Sequence, residues 1–327
     1  MAKVLLLTTT PRPGADPHNL AAWQGLRESA ERDRFLQHSL TDDPAQADVI
    51  LFAEAMGAGF YFSRVRTHEF VHRFREKCFL FSSNDYIIPF LPGVYAAAEK
   101  RWSSARVRGG FYAGFQTNAF LEFTRPTPEL KYLFSFVGST ETAAVRRNLA
   151  RLVHARSIFT DTAADYQRVL RSAMPADERA GYERRYAEIM QQSKFILCPR
   201  GMGASSMRLF DVMRIGRVPV VLSDRWLPPV GPRWEEFALR VPEADWEKLP
   251  RLLESREAQA VEMGLLARQE WENWFAPPSA FHRTVEWCLE LRRQRRVPEA
   301  IARLPAFLQF LRPFHLRQLL RLARKEK

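Results

Sequence analysis

Cysteine is scarce in this sequence, and its three cysteines stand far apart. Cys78, Cys198 and Cys288 include no C-x-x-C pair. Disulfide-stapled domains and cysteine-rich zinc sites depend on closely spaced pairs, so the sequence argues against both. Unpaired cysteines are typical of a reducing compartment, and we therefore expect a cytoplasmic protein.

Long apolar runs and several nucleotide-binding signatures are absent as well. No stretch approaches roughly 18 uninterrupted apolar residues, so no transmembrane helix is predicted. The apolar run at the N-terminus is too short for a signal peptide and instead predicts a first strand. The sequence also lacks G-x-x-x-x-G-K-[ST], G-x-G-x-x-G and G-x-S-x-G, which argues against P-loop, dinucleotide-binding and α/β-hydrolase proteins.

The net positive charge of the chain is large, and most of it is concentrated at the C-terminal end. The formal net charge is +12, and residues 291–327 carry +9 of it through eleven Lys or Arg and two Glu. A nucleic-acid-binding protein spreads basic side chains over a groove or a face of its folded domains. The distribution therefore argues against a nucleic-acid partner.

The pattern along the 327 residues indicates an α/β protein with two halves. Short apolar runs alternate with helical segments, as in parallel sheets. We expect one domain over residues 1–130, a second over 131–288 and a basic tail over 289–327. Helices are predicted at Arg64–Glu76, Thr142–His154 and Met207–Ile215. The predicted strands are Lys3–Thr10, Ala47–Ala55, Cys78–Ser82, Lys131–Ser139, Ser157–Thr160, Lys194–Cys198 and Val218–Leu222.

The segment Ser193–Asp224 has the pattern of a phosphate-binding strand, loop and helix. Its apolar strand leads into Pro199-Arg200-Gly201-Met202-Gly203, where two glycines let the backbone approach a ligand closely. Ser205 or Ser206 can cap the helix that follows. The start of that helix offers free N–H groups and a positive dipole end, which suit a diphosphate.

Two charged residues follow in the same helix. Arg208, in the first turn, can make bidentate contacts to phosphate. Asp211 lies on nearly the same face and could accept hydrogen bonds from ribose hydroxyls. The residues alone equally allow an ordinary β-loop-α-β unit with a surface pair between Arg208 and Asp211.

The same segment resembles the exostosin-type glycosyltransferases of family 47. In that family a K-F-x-L-x-P-x-G run precedes a Ser/Arg helix start, an acidic residue and a G-x-x-P-V strand. An apolar strand ending in small residues also precedes a helical arginine there, as at Gly138, Ser139 and Arg146 or Arg147. The matching residues of the segment are Lys194, Phe195, Leu197, Pro199, Gly201, Ser206, Arg208, Phe210, Asp211, Gly216, Pro219, Val220 and Asp224.

The resemblance implies two facing Rossmann-like domains of the GT-B type, with the active site in the cleft between them. It implies that the C-terminal domain binds a nucleotide diphosphate sugar, UDP- or GDP-linked, through Gly138, Ser139, Arg146 and the segment above, including Arg200. It also implies inverting transfer to a glycan or glycolipid, with neither metal nor cofactor. The sequence agrees in lacking the Asp-x-Asp pair that clamps a metal-bound diphosphate in the other large glycosyltransferase fold.

Inverting transfer needs a general base, which we expect in the N-terminal half. Asp85 has the best position, just past a predicted strand end. Glu54, His18 and Asp16 are further candidates. The alternative for Asp85 is an Asx-turn residue that begins a loop.

The sequence His68-Glu69-Phe70-Val71-His72 matches the zinc-peptidase motif H-E-x-x-H. A third ligand of the extended motif is missing, and the flanks are basic and polar. We therefore expect solvated helix residues, or residues that help to bind acceptor, and keep a zinc peptidase as a minor alternative.

Residues 297–327 combine leucines with arginines in short segments interrupted by Pro305 and Pro313. A basic amphipathic segment suits an anionic membrane surface, which would place the protein at the inner face of the membrane. A terminal helix packed on the core is the alternative.

The sequence leaves open two other functions that involve a sugar nucleotide. An α-1,3-fucosyltransferase-like enzyme would share the strand-helix-strand pattern, but it usually has a Glu-Lys pair where this chain has Met207-Arg208. A non-catalytic nucleotide binder is the other.

Overall fold

The computed structural model describes residues 1–11, 17–55, 58–85, 87–115, 117–170, 174–313, 315–317 and 320. In these ranges the strands form two sheets, one in each half of the chain, and all pairings between neighbouring strands are parallel. The predicted α/β class with two parallel sheets is confirmed. The domain limits at residues 130 and 288 stay predictions.

The N-terminal sheet consists of β1 (Ala2–Leu7), β2 (His38–Leu40), β3 (Val49–Glu54), β4 (Cys78–Ser82), β5 (Gly93–Tyr95) and β6 (Val107–Gly109). Their order across the sheet is β2-β1-β3-β4-β5-β6. Strands β3 and β4 are buried on both faces, and alternate residues belong to two separate cores. A side chain at Gly93 would place its Cβ 1.9 Å from the carbonyl oxygen of Leu80, so the close approach of β5 to β4 requires glycine.

The C-terminal sheet consists of β7 (Tyr132–Gly138), β8 (Ser157–Asp161), β9 (Ser193–Pro199), β10 (Val218–Leu222) and β11 (Leu239–Arg240). Their order is β11-β10-β9-β7-β8. Strands β9 and β10 are buried throughout, because their apolar side chains pack in the hydrophobic cores on both faces of the sheet.

The helices connect these strands and continue beyond the second sheet. The N-terminal half has α1 (Pro17–Glu31), α2 (Ser63–Arg66) and α3 (Glu69–Arg73). The connections of the second sheet contain α4 (Ala144–Leu149), α5 (Ala163–Leu170), α6 (Ala176–Gln191), α7 (Met207–Arg214) and α8 (Trp234–Phe237). The C-terminal part has α9 (Leu249–Arg256), α10 (Ala260–Trp274), α11 (Pro277–Gln294), α12 (Glu299–Ala302) and α13 (Leu304–Phe307).

A shared core joins the two halves. It includes Phe81 of β4, Cys198 of β9 and Phe210 of α7. Helix α11 also returns to the N-terminal half and packs against α1. There the hydroxyl of Ser29 accepts a hydrogen bond of 2.7 Å from the backbone N–H of Phe281. The relative position of the sheets is therefore fixed by buried apolar contacts as well as by the chain connection.

The basic tail exposes most of its large apolar side chains. Leu308 is 63% and Leu311 is 72% exposed, whereas Ala306 and Phe310 of the same segment pack on the N-terminal core. No helix in the described ranges is both long enough and apolar enough to cross a bilayer. Five residues of the predicted amphipathic pattern, Leu319, Arg321, Leu322, Arg324 and Lys325, lie outside the described residues.

Candidate functional site

The carboxyl ends of the two sheets meet. Asp85, three residues after β4, accepts a hydrogen bond from the backbone N–H of Gly203 in the loop after β9. Glu99, which follows β5, forms an isolated antiparallel β-bridge with Trp226, which follows β10. Ligands of parallel α/β sheets bind beyond the carboxyl ends of the strands. This junction is therefore the candidate site.

Asp85 is the half-buried side chain at the centre of the junction. Its Oδ1 atom accepts a hydrogen bond of 3.2 Å from the hydroxyl of Tyr112, which follows β6. Burial raises the pKa of the Asp85 carboxyl above its ordinary value, although these hydrogen bonds and the charge of Arg146 act to lower it. A Cβ at Gly203 would lie 2.6 Å from the same Oδ1, so glycine is needed for the contact.

Arg146 lies beneath the loop that follows β9. Its guanidinium donates to the carbonyl oxygens of Ser139 (3.1 Å), Pro199 (3.2 Å) and Arg200 (2.9 Å). Burial and the neighbouring Arg208 lower its pKa to about 9, so it remains charged at neutral pH. The neighbouring Arg147 is exposed, which leaves Arg146 as the arginine of the site.

Arg208 occupies the adjoining position under the same loop. It donates to the carbonyl oxygens of Leu197 (3.3 Å) and Val137, and its guanidinium carbon lies 4.5 Å from the centre of the Phe136 ring. A Cβ at Gly138 would lie 2.0 Å from its terminal nitrogen, so glycine makes room for the guanidinium.

Together the two arginines make this edge of the C-terminal sheet positive. Within the described ranges, neither Arg146 nor Arg208 forms an ion pair. Both side chains are buried, with less than a tenth of their surface exposed. Their N–H groups bind backbone carbonyls. They therefore support the loop and contribute charge, and the structure shows no guanidinium aimed at open solvent as a direct phosphate ligand.

The other predicted loop residues take up different positions. Ser206 is the N-cap residue of α7, as predicted, but its side chain makes no capping hydrogen bond. Ser205 is buried beside Tyr112. The Arg200 guanidinium pairs with Glu243 at 2.8 Å. A Cβ at Gly201 would make ordinary contacts, 3.4 Å from a terminal nitrogen of Arg146 and 4.0 Å from the Thr142 hydroxyl oxygen.

Asp211 faces helix α6. Its Oδ2 accepts a hydrogen bond of 3.2 Å from the hydroxyl of Tyr186. Burial raises the pKa of the Asp211 carboxyl to about 7. The surface pair with Arg208, which the residues alone left open as an alternative, is not formed, because Arg208 donates to backbone carbonyls. The roles of Asp211 and of the other predicted residues in binding a donor stay predictions.

Glu54 ends β3 at the same edge of the N-terminal sheet. Its fully buried carboxylate accepts hydrogen bonds from the hydroxyls of Thr8, Thr9 and Thr10 and from the Thr9 backbone N–H. Burial raises its pKa. This cluster was not recognised from the sequence, although three consecutive threonines at the end of the predicted strand Lys3–Thr10 were a signal for it. Asp16, another candidate base, lies outside the described residues.

The H-E-x-x-H segment does not form the helix that a zinc peptidase needs. Helix α3 begins at Glu69, so His68 stands outside it with extended backbone angles. The His68 ring accepts a hydrogen bond from the Phe70 backbone N–H and packs against the Phe52 ring. His68 therefore caps α3 while His72 is exposed, and within the described ranges no group of three His, Cys, Asp or Glu side chains could hold a metal ion, so the structure gives the zinc-peptidase alternative no support.

Comparison with known sequences finds similarity over a central part of the chain. The family model described as Exostosin GT47 domain matches residues 118–256. "Exostosin-1 homolog" of Caenorhabditis elegans is 32% identical over 142 residues, which are 40% of this chain and 37% of the relative. "Probable glucuronosyltransferase GUT1" of Oryza sativa subsp. japonica is 30% identical over 124 residues, 33% of this chain and 30% of the relative. The matched part thus spans about a third of the length of these relatives.

Solved structures give a weaker likeness. An α1,3-fucosyltransferase with GDP superimposes with a TM-score of 0.41 and 10% sequence identity, over 91% of this chain and 92% of the other. A likeness at this level assigns neither substrate nor mechanism.

Proposed function

We propose, from the premise that this chain carries a GT47 exostosin glycosyltransferase domain over residues 118–256, that the protein transfers a sugar from a nucleotide diphosphate sugar to a glycan or glycolipid. Distant homology to exostosins and plant GT47 glucuronosyltransferases supports the enzyme class. The observation that carries the proposal is the pair of buried guanidinium groups under the loop after β9, at the junction of the two sheets.

The donor diphosphate would bind at this loop and at the start of α7. The positive end of the α7 dipole and the charges of Arg146 and Arg208 act together there. As the sugar leaves, negative charge grows on the diphosphate, and a fixed positive field stabilises it without reorganisation. The field comes from the chain itself, so transfer would need no metal.

The acceptor would approach from the N-terminal half. In inverting transfer a base removes the proton of the acceptor hydroxyl as that oxygen attacks the sugar. Asp85 stands at the junction, and burial gives it a raised pKa, which favours proton uptake. Glu54 is the second choice, because three threonine hydroxyls already occupy its oxygens.

The exposed apolar side chains of the tail would dock the enzyme on an anionic membrane at its inner, cytoplasmic face. Leu308 and Leu311 project from the body of the protein, and Arg312 follows them. Such docking would bring the site to a lipid-linked acceptor. The domain match favours this exostosin-type enzyme over the fucosyltransferase-like alternative.

A thermal-shift screen with UDP, GDP and their sugars tests the donor site. A ligand present at about 100 times its Kd should stabilise the protein by about 2.7 kcal/mol, a shift of several degrees in Tm. The variant Arg208→Gln should lose the shift, and so should Gly201→Leu, whose added side chain would begin within contact distance of Arg146 at the proposed binding loop.

Exposed Arg147→Gln and helix-surface Gly181→Leu are the matched controls and should keep the shift, since a Cβ at Gly181 has no neighbour within 4 Å. The Gly201 variant keeps the test valid if Arg208→Gln does not fold. If no nucleotide diphosphate stabilises the native protein, the proposed donor site is wrong.

A further inference from the structure

A cavity of about 220 Å³ lies at the amino end of the N-terminal sheet. It opens between α2, α3 and the tail helices α12 and α13, beside Cys78, the first residue of β4. Asp85 and the loop after β9 lie beyond the other end of that strand. The cavity is therefore separate from the proposed glycosyltransferase site.

Three arginines line this cavity: Arg66, Arg75 and Arg303. Within the described ranges no carboxylate pairs with any of them, and the Nε atom of each is buried without a hydrogen-bond acceptor. The carboxylate on the wall, Glu299, is already paired with Arg106. The lining therefore carries a positive charge that the neighbouring protein groups do not balance.

A buried N–H group without an acceptor destabilises a protein unless a partner supplies one, and the Nε of each of these half-buried arginines is such a group. Burial lowers the pKa of Arg66, whose guanidinium carbon lies 4.5 Å from the centre of the Phe90 ring. An anion with several oxygen acceptors would satisfy all three groups at once. A phosphate ester suits them best, since it presents three acceptor oxygens and close to two negative charges.

The rest of the wall is apolar. Val71, Leu91, Phe90 and Phe307 contribute to it, and the rings of Phe90 and Phe307 lie 4.9 Å apart. Leu308, the residue after Phe307 in the chain, is 63% exposed. A ligand that satisfied both parts of the lining would join an anionic head to an apolar chain.

We propose that this cavity binds the phosphate head of an amphiphile, with Arg66, Arg75 and Arg303 around the head and the apolar chain leaving along Phe307 and Leu308. The same chemistry is offered by a phosphate-headed lipid in a bilayer and by a free long-chain phosphate ester. Binding at this site is independent of sugar transfer. It also differs from the proposed docking of the tail on a charged membrane, because it requires one ligand bound in one cavity.

Isothermal titration of the full chain with decyl phosphate, below its micelle concentration, tests the site. We expect saturable binding of one molecule per chain, tighter than binding of decanol or inorganic phosphate. Replacing two guanidinium groups in Arg75→Gln/Arg303→Gln should weaken binding about tenfold or more, because two charge-assisted contacts are lost. Arg73→Gln is the control, since Arg73 is exposed on α3 and does not line the cavity.

A second variant changes the volume of the cavity and leaves its charge intact. Thr67 is exposed at the rim, so Thr67→Trp should fold and block entry, with a loss of decyl phosphate binding. Flotation with phosphatidic acid vesicles identifies the source of the ligand. Vesicle binding that the arginine variant weakens indicates a bilayer lipid, whereas binding of decyl phosphate alone indicates a free ester.

The proposal is overturned if decanol or inorganic phosphate binds as tightly as decyl phosphate. Equal binding of decyl phosphate by the native chain, Arg75→Gln/Arg303→Gln and Thr67→Trp would overturn it too. Nucleotide thermal shifts measured on the same variants should match those of the native chain, so a failure here is distinct from a failure of the donor site.

Discussion

Asp85 connects the two halves through a single side chain. It accepts hydrogen bonds from Tyr112 of the N-terminal half and from Gly203 of the C-terminal half. The alternative of a simple loop-starting residue does not account for contacts that reach across the junction. A carboxylate in this position contacts both the acceptor side and the donor side of the proposed site.

Replacing Asp85 tests its proposed role as the base. Asp85→Asn keeps the shape of the side chain but cannot accept a proton, so the rate of sugar transfer should fall by about 10²- to 10⁴-fold. The nucleotide-induced thermal shift should remain. Asp42→Asn, at an exposed position, is the control. An unchanged rate of sugar transfer in Asp85→Asn would exclude Asp85 as the base and favour Glu54.

Asp211 should make the stability of the protein depend on pH. Because burial raises its folded-state pKa from about 3.8 to about 7, the folded protein holds a proton that the unfolded chain releases. Its contribution to stability is full below the unfolded pKa and is lost as the pH rises through about 7. Urea unfolding should therefore show that the native chain loses more stability than Asp211→Asn between roughly pH 4 and pH 7, the interval between the unfolded and folded pKa values. Parallel losses in the two proteins would show that Asp211 ionises normally in the folded state.

At the scale of secondary structure, the buried strands were the most predictable part. Cys78–Ser82 and Val218–Leu222 were predicted with the bounds that the structure gives to β4 and β10. Both are apolar on two faces, and a continuous apolar run is a strong signal. The strands of two or three residues, β2, β5, β6 and β11, were missed, because such short segments carry too little pattern.

The predicted helix Arg64–Glu76 shows why local propensity was not sufficient. The structure divides it into α2, α3 and a further turn, with a break at Thr67 and His68. The buried residues Val65 and Val71 pack on the N-terminal sheet from separate short helices. Tertiary packing thus overrode a mixed-charge pattern that suits a single helix.

The tail segment gives the test of membrane docking. Leu308→Glu/Leu311→Glu should reduce flotation with anionic vesicles, because two exposed leucines would no longer enter the interface. Leu36, which is 81% exposed elsewhere on the surface, provides the control Leu36→Glu. Undiminished flotation of the double variant would refute docking through this segment.

At the scale of the whole molecule, the site depends on contacts that the sequence motif does not contain. The segment Ser193–Asp224 indicated the loop and the two sheets, but Tyr112 and the threonines around Glu54 come from the other half. Their places follow from the shared core and the return of α11 to α1, which depend on contacts far apart in the sequence. Residue patterns report local periodicity and do not report such pairings.

Hydrogen–deuterium exchange with and without a stabilising nucleotide diphosphate is the most direct test of where the donor binds. We expect protection at residues 138–142 and 200–206, the loops held by Arg146 and Arg208 at the carboxyl edge of the C-terminal sheet. Protection confined to the N-terminal sheet, or no change in these two loops, would contradict the proposed donor site.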